Sequence, residues 1–187
     1  MATMDLQEVK SMQPEIISES VEVLKRTPKA LTTMLSGLPD VWLHCNEGES
    51  TWSAYDVVGH LIHGEVTDWI PRLQIILKSG ESRPFTPFDR NAQFKASQGK
   101  TIEQLLQEFT KLRRKNLAVL TRLKLTSADL KLRGMHPELG PVTLGQLIST
   151  WVVHDMTHIN QISRVLAKRY QEEVGPWKAY LSVLTRR

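Results

Sequence analysis

His154 and His158, four residues apart in a long amphipathic segment, are the residues whose type and spacing most clearly suggest chemistry. An α-helix turns about 100° per residue, so side chains four residues apart lie one above the other on the same face. Two imidazoles placed in this way can bind one divalent metal ion. A polar helix edge would show the same spacing, so the pair alone leaves the question open.

A third histidine, His60, lies far upstream in another apolar segment and could complete the ligand set. On a helical wheel it shares one stripe with Val57, Gly64 and Thr67, and the last two are small enough to leave room for a ligand. Helical bundles commonly build metal sites from inward side chains of facing helices. Three imidazoles leave a coordination position open, which is typical of a catalytic metal. Spacing alone supports this site and three independently hydrogen-bonded core histidines equally.

Three further side chains are candidates for a role beside such a metal. His63, about 60° round the helix from His60, could be a fourth ligand or a proton relay. Asp155, about 60° from His158, could orient an imidazole or accept a proton, or it could only form an ion pair. Gln161, one turn from His158, could hold a cofactor or substrate, or it could cross-link two helices.

Helical periodicity dominates the chain, and convincing β-strand alternation is absent. We predict four long helices and a short amphipathic tail, at 14–38 with a break or kink at Pro28, 53–78 with a kink at Pro71, 102–123, 143–170 and 177–184. Ser53, Thr101 and Thr143 are suited to cap the last three long helices. This pattern predicts one domain over residues 1–187, an all-α four-helix bundle with a short C-terminal helix.

Two connecting segments could shape a pocket at the end of this bundle. Residues 81–100 carry several Pro and Arg residues, and so long a loop in a compact domain often forms a lid or a pocket wall. Residues 134–141 form a turn-rich segment that contains His136. We expect His136 at the surface, where it could line the mouth of the pocket.

Composition excludes several classes of protein. A hydrophobic fraction of 41% and a charged fraction of 24% are ordinary for a globular domain, and no apolar run approaches the ~20 residues that span a bilayer. The first 13 residues do not have the pattern of a secretory signal. The single cysteine, Cys45, excludes an internal disulfide and fits a cytoplasmic location. A net charge of +4 is mild, so we predict neither a nucleic-acid partner nor a membrane partner.

Three motifs follow one another along the chain. They are Trp52-Ser53 leading into Val57-Val58-Gly59-His60-Leu61, the turn His136-Pro137-Glu138-Leu139-Gly140-Pro141-Val142-Thr143-Leu144, and His154-Asp155-Met156-Thr157-His158-Ile159-Asn160-Gln161-Ile162. In this order they resemble the DinB-like superfamily of metal-binding four-helix bundles, which includes the YfiT-type metal-dependent hydrolases. The resemblance covers roughly residues 20–170 and implies that His60, His154 and His158 are metal ligands. Relatives often carry an acidic residue where this chain has His63, a departure that could alter metal preference or an acid–base step.

The same resemblance implies two kinds of reaction. Several branches resemble transferases that use bacillithiol, mycothiol or glutathione, and a thiol at the open metal position would readily lose its proton. In that reaction Arg83 or Arg90 could hold an anionic group of the cofactor. Other branches resemble hydrolases, in which a water takes the open position and Asp155 or His63 relays its proton. We predict the thiol-dependent transferase first, with zinc or nickel as the metal and a small molecule as substrate.

Two alternatives stay open beside these enzymes. A zincin-like peptidase would use a Glu where this chain has Asp155, whose shorter side chain reaches a metal-bound water poorly, and it would need a substrate-binding strand edge. A metal-stabilised interaction module without catalysis is the other alternative. Trp69, Trp151 and Trp177 could belong to its interface, although core packing is the default role of tryptophan. We expect the protein to be a homodimer.

Overall fold

The computed structural model describes residues 14–185, and most of these residues are helical. The helices are α1 Glu15–Leu24, α2 Thr27–Leu35, α3 Asp40–Leu43, α4 Ala54–Thr67, α5 Trp69–Ser79, α6 Ala92–Ser97, α7 Ile102–Arg122, α8 Leu144–Lys168 and α9 Ser182–Thr185. Short 3-10 turns occur at Gly80–Ser82, Asp129–Lys131 and Gly175–Tyr180. None of the helices in this part of the chain is both long and apolar enough to cross a bilayer. The sequence prediction about a secretory signal concerns residues 1–13, which lie outside the described range.

Prolines divide two of the four predicted long helices. The first predicted helix separates into α1 and α2, and Pro28 stands in the first turn of α2, where its missing N–H leaves no bond unmade. The second separates at Asp68 into α4 and α5. Pro71 cannot donate to the carbonyl of Thr67 four residues earlier, so α4 ends there. Both predicted interruptions are confirmed, and the second falls three residues before its proline.

Side-chain caps set the starts of the longest helices as predicted. The hydroxyl groups of Ser53, Thr101 and Thr143 accept from backbone N–H groups in the first turns of α4, α7 and α8. In each case the residue three positions on returns the bond to the cap, which completes a capping box. The observed bounds of α7 and α8 lie within two residues of the predicted ones.

The prediction that strands are absent is wrong for the segment after α7. Strands β1 Arg133–His136 and β2 Gly140–Thr143 pair antiparallel as a hairpin, and the backbone N–H of Phe85 donates to the carbonyl of Met135 at 2.9 Å. A side chain at Gly134 would meet Phe85 and Ile76 at less than 3 Å, so this glycine permits the close approach. The start of the long segment 81–100 is thereby fixed against the hairpin, whereas the short helix α6 later in the segment packs against Gly59 on α4.

Two clusters of buried apolar side chains form the core. One centres on Leu24, Trp69, Leu120, Ile148 and Trp151, and the other on Leu31, Val58, Leu61, Phe109 and Ile162. Glu65 on α4, Arg113 and Asn116 on α7, and Asp155 and His158 on α8 are buried polar residues that fall between the two clusters. Trp69 and Trp151 stack with ring centroids 5.5 Å apart inside the core, whereas Trp177 is exposed. His154 and His158 lie in this polar layer, and His60 lies within the adjoining cluster.

Candidate metal centre

Three imidazoles converge between the two helices that carry them, His60 from α4 and His154 and His158 from α8. The Nε2 atom of His154 lies 3.2 Å from Nε2 of His60 and 3.1 Å from Nε2 of His158. Tetrahedral zinc with Zn–N bonds of about 2.05 Å would hold its nitrogen ligands about 3.3 Å apart. The three side chains offer ligand atoms within 4.8 Å of one another, so their spacing fits one shared divalent ion.

The neighbour of His158 determines which of its nitrogens is free. The Oε1 atom of Gln161 lies 2.8 Å from Nδ1 of His158. An amide oxygen only accepts, so Nδ1 carries the proton and Nε2 keeps its lone pair toward the other imidazoles. Gln161, predicted to hold a cofactor or to cross-link helices, thus lies behind a candidate ligand of the metal, where such partners commonly fix ring orientation.

Aromatic packing positions the other two imidazoles. The ring of Trp52 lies 4.7 Å from that of His60, and the ring of Trp69 lies 5.1 Å from that of His154. Within residues 14–185, the buried Nδ1 atoms of His60 and His154 have no hydrogen-bond partner. On their Nδ1 sides, these two rings are therefore held by packing, whereas their Nε2 atoms face the other imidazoles.

Burial keeps the three imidazoles uncharged. It is the main cause that lowers the pKa of His60 and of His154 to about 3, with His158 as the next contribution in each case. Burial also lowers the pKa of His158, against the opposing effect of Gln161. All three are neutral at pH 7, which is the form that binds a metal.

The three histidines open onto a cavity of about 600 Å³. Its walls come from the residues just before α4, from α4, α5 and α8, and from the segment 81–100 and the hairpin. Large apolar side chains in these walls are Trp52, Trp69, Phe85, Phe88, Leu139, Val142 and Leu147. Phe85, Phe88 and Arg90 contribute the wall predicted for residues 81–100. His136 lines the cavity as anticipated, and the volume is within the usual range for small-molecule sites.

Three of the predicted site residues lie away from the ligand atoms. His63 packs its ring 4.7 Å from that of Phe88, outside the three-histidine cluster, and burial lowers its pKa. Arg83 is exposed and does not line the cavity. Asp155 differs most from its predicted catalytic role, because its fully buried carboxylate binds Arg113. The ion pair left open in the sequence analysis is the arrangement observed.

Asp155 belongs to a buried network that sequence reasoning missed. Arg113 donates from Nη1 and Nη2 to Asp155 at 2.5 and 2.9 Å and from Nε to Oε1 of Glu65 at 3.0 Å. The Trp151 indole and the Asn116 amide also donate to Glu65. Burial raises the pKa of Glu65, and Arg113 opposes that shift. Two carboxylates thus share one guanidinium beside the histidines.

A sequence signal for this network exists. Arg113 follows Phe109 by four residues and precedes Leu117 by four, so it lies on the core-facing stripe of α7. A charged residue on such a stripe requires buried partners of opposite charge. Arg72 and Asp68, which line the cavity, were also missed.

A helical bundle with three convergent histidines open to a cavity defines a class of protein with a candidate metal site. The family model of the DinB superfamily matches residues 24–162, and the chain belongs to that superfamily. It is also similar to the solved structure of YfiT from Bacillus subtilis, described as "a probable metal-dependent hydrolase with an unusual four-helix bundle topology". The two chains are 22% identical, with a TM-score of 0.70 over 90% of this chain and 91% of that chain. This likeness confirms the predicted bundle fold. No curated protein matches the chain in sequence.

Proposed function

We propose that this protein is a divalent-metal-dependent transferase that joins a low-molecular-weight thiol to an electrophilic small molecule at the three-histidine cluster. The observation that carries this proposal is the convergence of three Nε2 atoms in the wall of a cavity of about 600 Å³. Three protein ligands beside open space are typical of a catalytic metal site, whereas structural sites are closed by a fourth protein ligand. The description of YfiT as metal-dependent supports the same assignment.

The chain's own residues have separable roles in this reaction. His60, His154 and His158 would hold the cation through Nε2, and Gln161 keeps the proton of His158 on Nδ1. A bound divalent cation supplies Lewis acidity, which lowers the pKa of a coordinated thiol or water. The apolar cavity walls exclude water and bring sulfur and electrophile together. The sulfur–carbon bond forms as the bond from carbon to the leaving group breaks, and the thiol proton passes to solvent.

The surroundings of the histidines favour a thiol over water as the nucleophile. The metal-ligand cluster in the described part of the chain contains three histidines and no carboxylate. Asp155, which a hydrolase or a zincin-like peptidase would use as base, has both oxygens bound by Arg113. A thiol ionises with a pKa of about 8.5 and needs less help than water, whose pKa is about 15.7.

Hydrolysis is the second candidate, because YfiT is described as a probable metal-dependent hydrolase. Glu138 and Asp68 line the cavity and are the carboxylates available there to accept a proton from water. The two reactions differ in what attacks the electrophile and not in the residues that would hold the metal.

Metal content and two assays test the proposal. We expect about one zinc or nickel ion per chain in the wild type and in the matched control His44→Ala, an exposed histidine, and loss of the ion in His154→Ala. The loaded wild type should conjugate glutathione, bacillithiol or mycothiol to monochlorobimane. His154→Ala should lose more than ~100-fold of this rate, since losing even a hydrogen-bond partner of a ligand costs about 10–100-fold.

Each other outcome supports a different alternative. Release of 4-nitrophenol from 4-nitrophenyl acetate without any thiol would favour the hydrolase. Bound metal with neither activity would favour the non-catalytic interaction module. A wild type that cannot be loaded with zinc or nickel would remove the basis of both enzymes. Zinc or nickel as the metal, a homodimer and a cytoplasmic location stay predictions.

Removing the hydrogen-bond partner of His158 should weaken metal binding without abolishing it. For Gln161→Leu we expect a loss of about 10–100-fold in zinc affinity, because nothing then fixes the Nδ1–H tautomer of His158. Competition with a chromophoric chelator measures this change. Gln161→Glu keeps an acceptor oxygen and is the matched control. Equal affinities for Gln161→Leu and the wild type would show that Gln161 does not orient the ring.

A further inference from the structure

We infer that Arg72 is an anion-binding residue, and that the cavity takes an apolar small molecule with one carboxylate that docks on the Arg72 guanidinium. This inference rests on the proposed function, since it names the substrate class of the same cavity. It assigns the carboxylate to the apolar co-substrate rather than to the thiol. The sequence alone suggests Arg83 or Arg90 for such a role and gives no indication of Arg72.

The guanidinium of Arg72 is buried but not fully bonded. Arg72 is 8% exposed and lines the cavity that holds the histidines. Its Nη2 atom pairs with Oδ1 of Asp68 at 2.9 Å, whereas its buried Nε has no hydrogen-bond partner within residues 14–185. A guanidinium carries five N–H donors, and a charged donor left unpaired in the interior is costly. Nε itself is closed to solvent, so a ligand carboxylate would bind the part of the guanidinium that lines the cavity and would offset the charge there.

Neighbouring residues hold this guanidinium in place. Its central carbon lies over the ring of Phe85, 5.4 Å from the ring centroid, so the ring packs against one face of the guanidinium. Phe85 is itself tied to the hairpin by the backbone bond to Met135. Such a preorganised fork matches the two oxygens of a carboxylate.

The ion pair with Asp68 does not strongly stabilise the positive charge of Arg72. Burial outweighs the attraction of Arg72 and raises the pKa of Asp68 to about 6, so the pair is not a strongly stabilised one. The charged groups that line the cavity are Arg72 and Arg90 against Asp68 and Glu138, which balance formally. A divalent cation on the histidines makes the cavity net positive, and an anionic ligand then restores balance.

The apolar residues of the cavity wall determine which uncharged part of a ligand fits. The lining includes large apolar side chains, among them Trp52, Trp69, Phe88 and Leu147. A cavity of about 600 Å³ that offers this apolar surface beside its polar groups suits a compact aromatic or aliphatic molecule. The polar contact at Arg72 would then fix the orientation of that molecule relative to the histidines.

Binding of a matched acid and amide tests the inference. The probes are 4-phenylbutyrate and neutral 4-phenylbutyramide, titrated by tryptophan fluorescence or calorimetry into chelator-treated protein, so that no metal can bind the carboxylate. We expect the wild type and Arg83→Gln, a surface control, to bind the acid at least about 10-fold more tightly than the amide. S-methylglutathione, which carries its carboxylates on a polar body, should show no dependence on Arg72.

Two variants isolate the guanidinium. The double variant Arg72→Gln with Asp68→Asn avoids an unpaired buried acid and should bind acid and amide equally. Arg72→Lys keeps the charge but not the forked N–H geometry of the guanidinium. Its preference for the acid over the amide should fall between those of the wild type and the double variant. Equal affinities in the wild type, or a preference that survives in a folded double variant, would overturn the inference. Because the assay uses metal-free protein, its result is independent of metal content and thiol transfer.

Discussion

Replacing Arg113 by methionine is expected to lower the free energy of unfolding by about 3–5 kcal/mol, enough to unfold much of the protein at moderate temperature. The reason is that Glu65 and Asp155 would remain buried without a counter-charge, and both side chains are fully inaccessible to solvent. Urea unfolding followed by circular dichroism measures the change. Arg114→Met, at the exposed neighbouring position, should change stability by no more than about 0.5 kcal/mol.

The predicted loss of stability is large because the Arg113 guanidinium binds groups on several helices. Arg113 binds Asp155 on α8 with two N–H groups, Glu65 on α4 with Nε, and the carbonyl of Leu24 at the end of α1 at 2.9 Å. Thr27 in α2 donates to the same aspartate at 2.5 Å. One side chain on α7 therefore binds groups on three other helices, with α2 joined through Asp155, and its loss leaves acceptors unpaired on each of the three.

A compensated variant separates lost pairing from lost packing. Changing Glu65→Gln and Asp155→Asn together with Arg113→Met removes the buried charges as a set, and we expect most of the lost stability to return. If the single variant Arg113→Met were as stable as Arg114→Met, the carboxylates would have to be hydrated or protonated in the folded protein. That result would contradict the buried network.

The helix ends and the histidine spacing were accessible from the sequence because they depend on local chemistry. The caps at Ser53, Thr101 and Thr143 need only a hydroxyl and a partner three residues on. The meeting of His60 with His154 is different, since it depends on the relative register of two helices 94 residues apart in sequence. The family resemblance supplied that pairing, whereas periodicity could show only that each histidine lies on a suitable stripe.

The parts that sequence reasoning missed depend on tertiary contacts. A helical wheel places Asp155 about 60° from His158 but cannot show that this side faces Arg113 on α7. The hairpin escaped notice because four-residue strands that contain Gly134 and Pro141 show no clear alternation. Its formation depends on Phe85 packing over that glycine from a distant segment.

The metal-free protein is expected to lose stability as the pH falls from about 7 toward 4. The pKa of His60 and of His154 is about 3 in the folded protein, against an ordinary value of 6.5. Between these values the unfolded chain binds protons that the folded protein does not, so acid favours unfolding. Each histidine contributes a slope of about 1.4 kcal/mol per pH unit in this window.

Asp68 acts in the opposite direction over part of the same range. Its pKa is about 6 in the folded protein against an ordinary value of 3.8, so below pH 6 the folded state takes up a proton that the unfolded state takes up only near pH 4. This proton uptake by Asp68 offsets the pH slope contributed by about one of the two histidines. The net loss between pH 6 and 4 is therefore expected near 1.4 kcal/mol per pH unit, and it becomes shallower above pH 6, where the histidines of the unfolded chain lose their protons.

Urea unfolding in chelator at pH 7, 6 and 5 measures this slope, and replacing the histidines assigns it. The double variant His60→Gln with His154→Gln removes both titrating rings while keeping polar side chains of similar size. The slope of the free energy of unfolding against pH should flatten or reverse in this variant, because the two histidines no longer oppose the effect of Asp68. His44→Gln, at an exposed position, should keep the wild-type slope. A double variant with the wild-type slope would mean that other groups carry the acid sensitivity, and that the imidazoles are not held neutral by burial as the structure indicates.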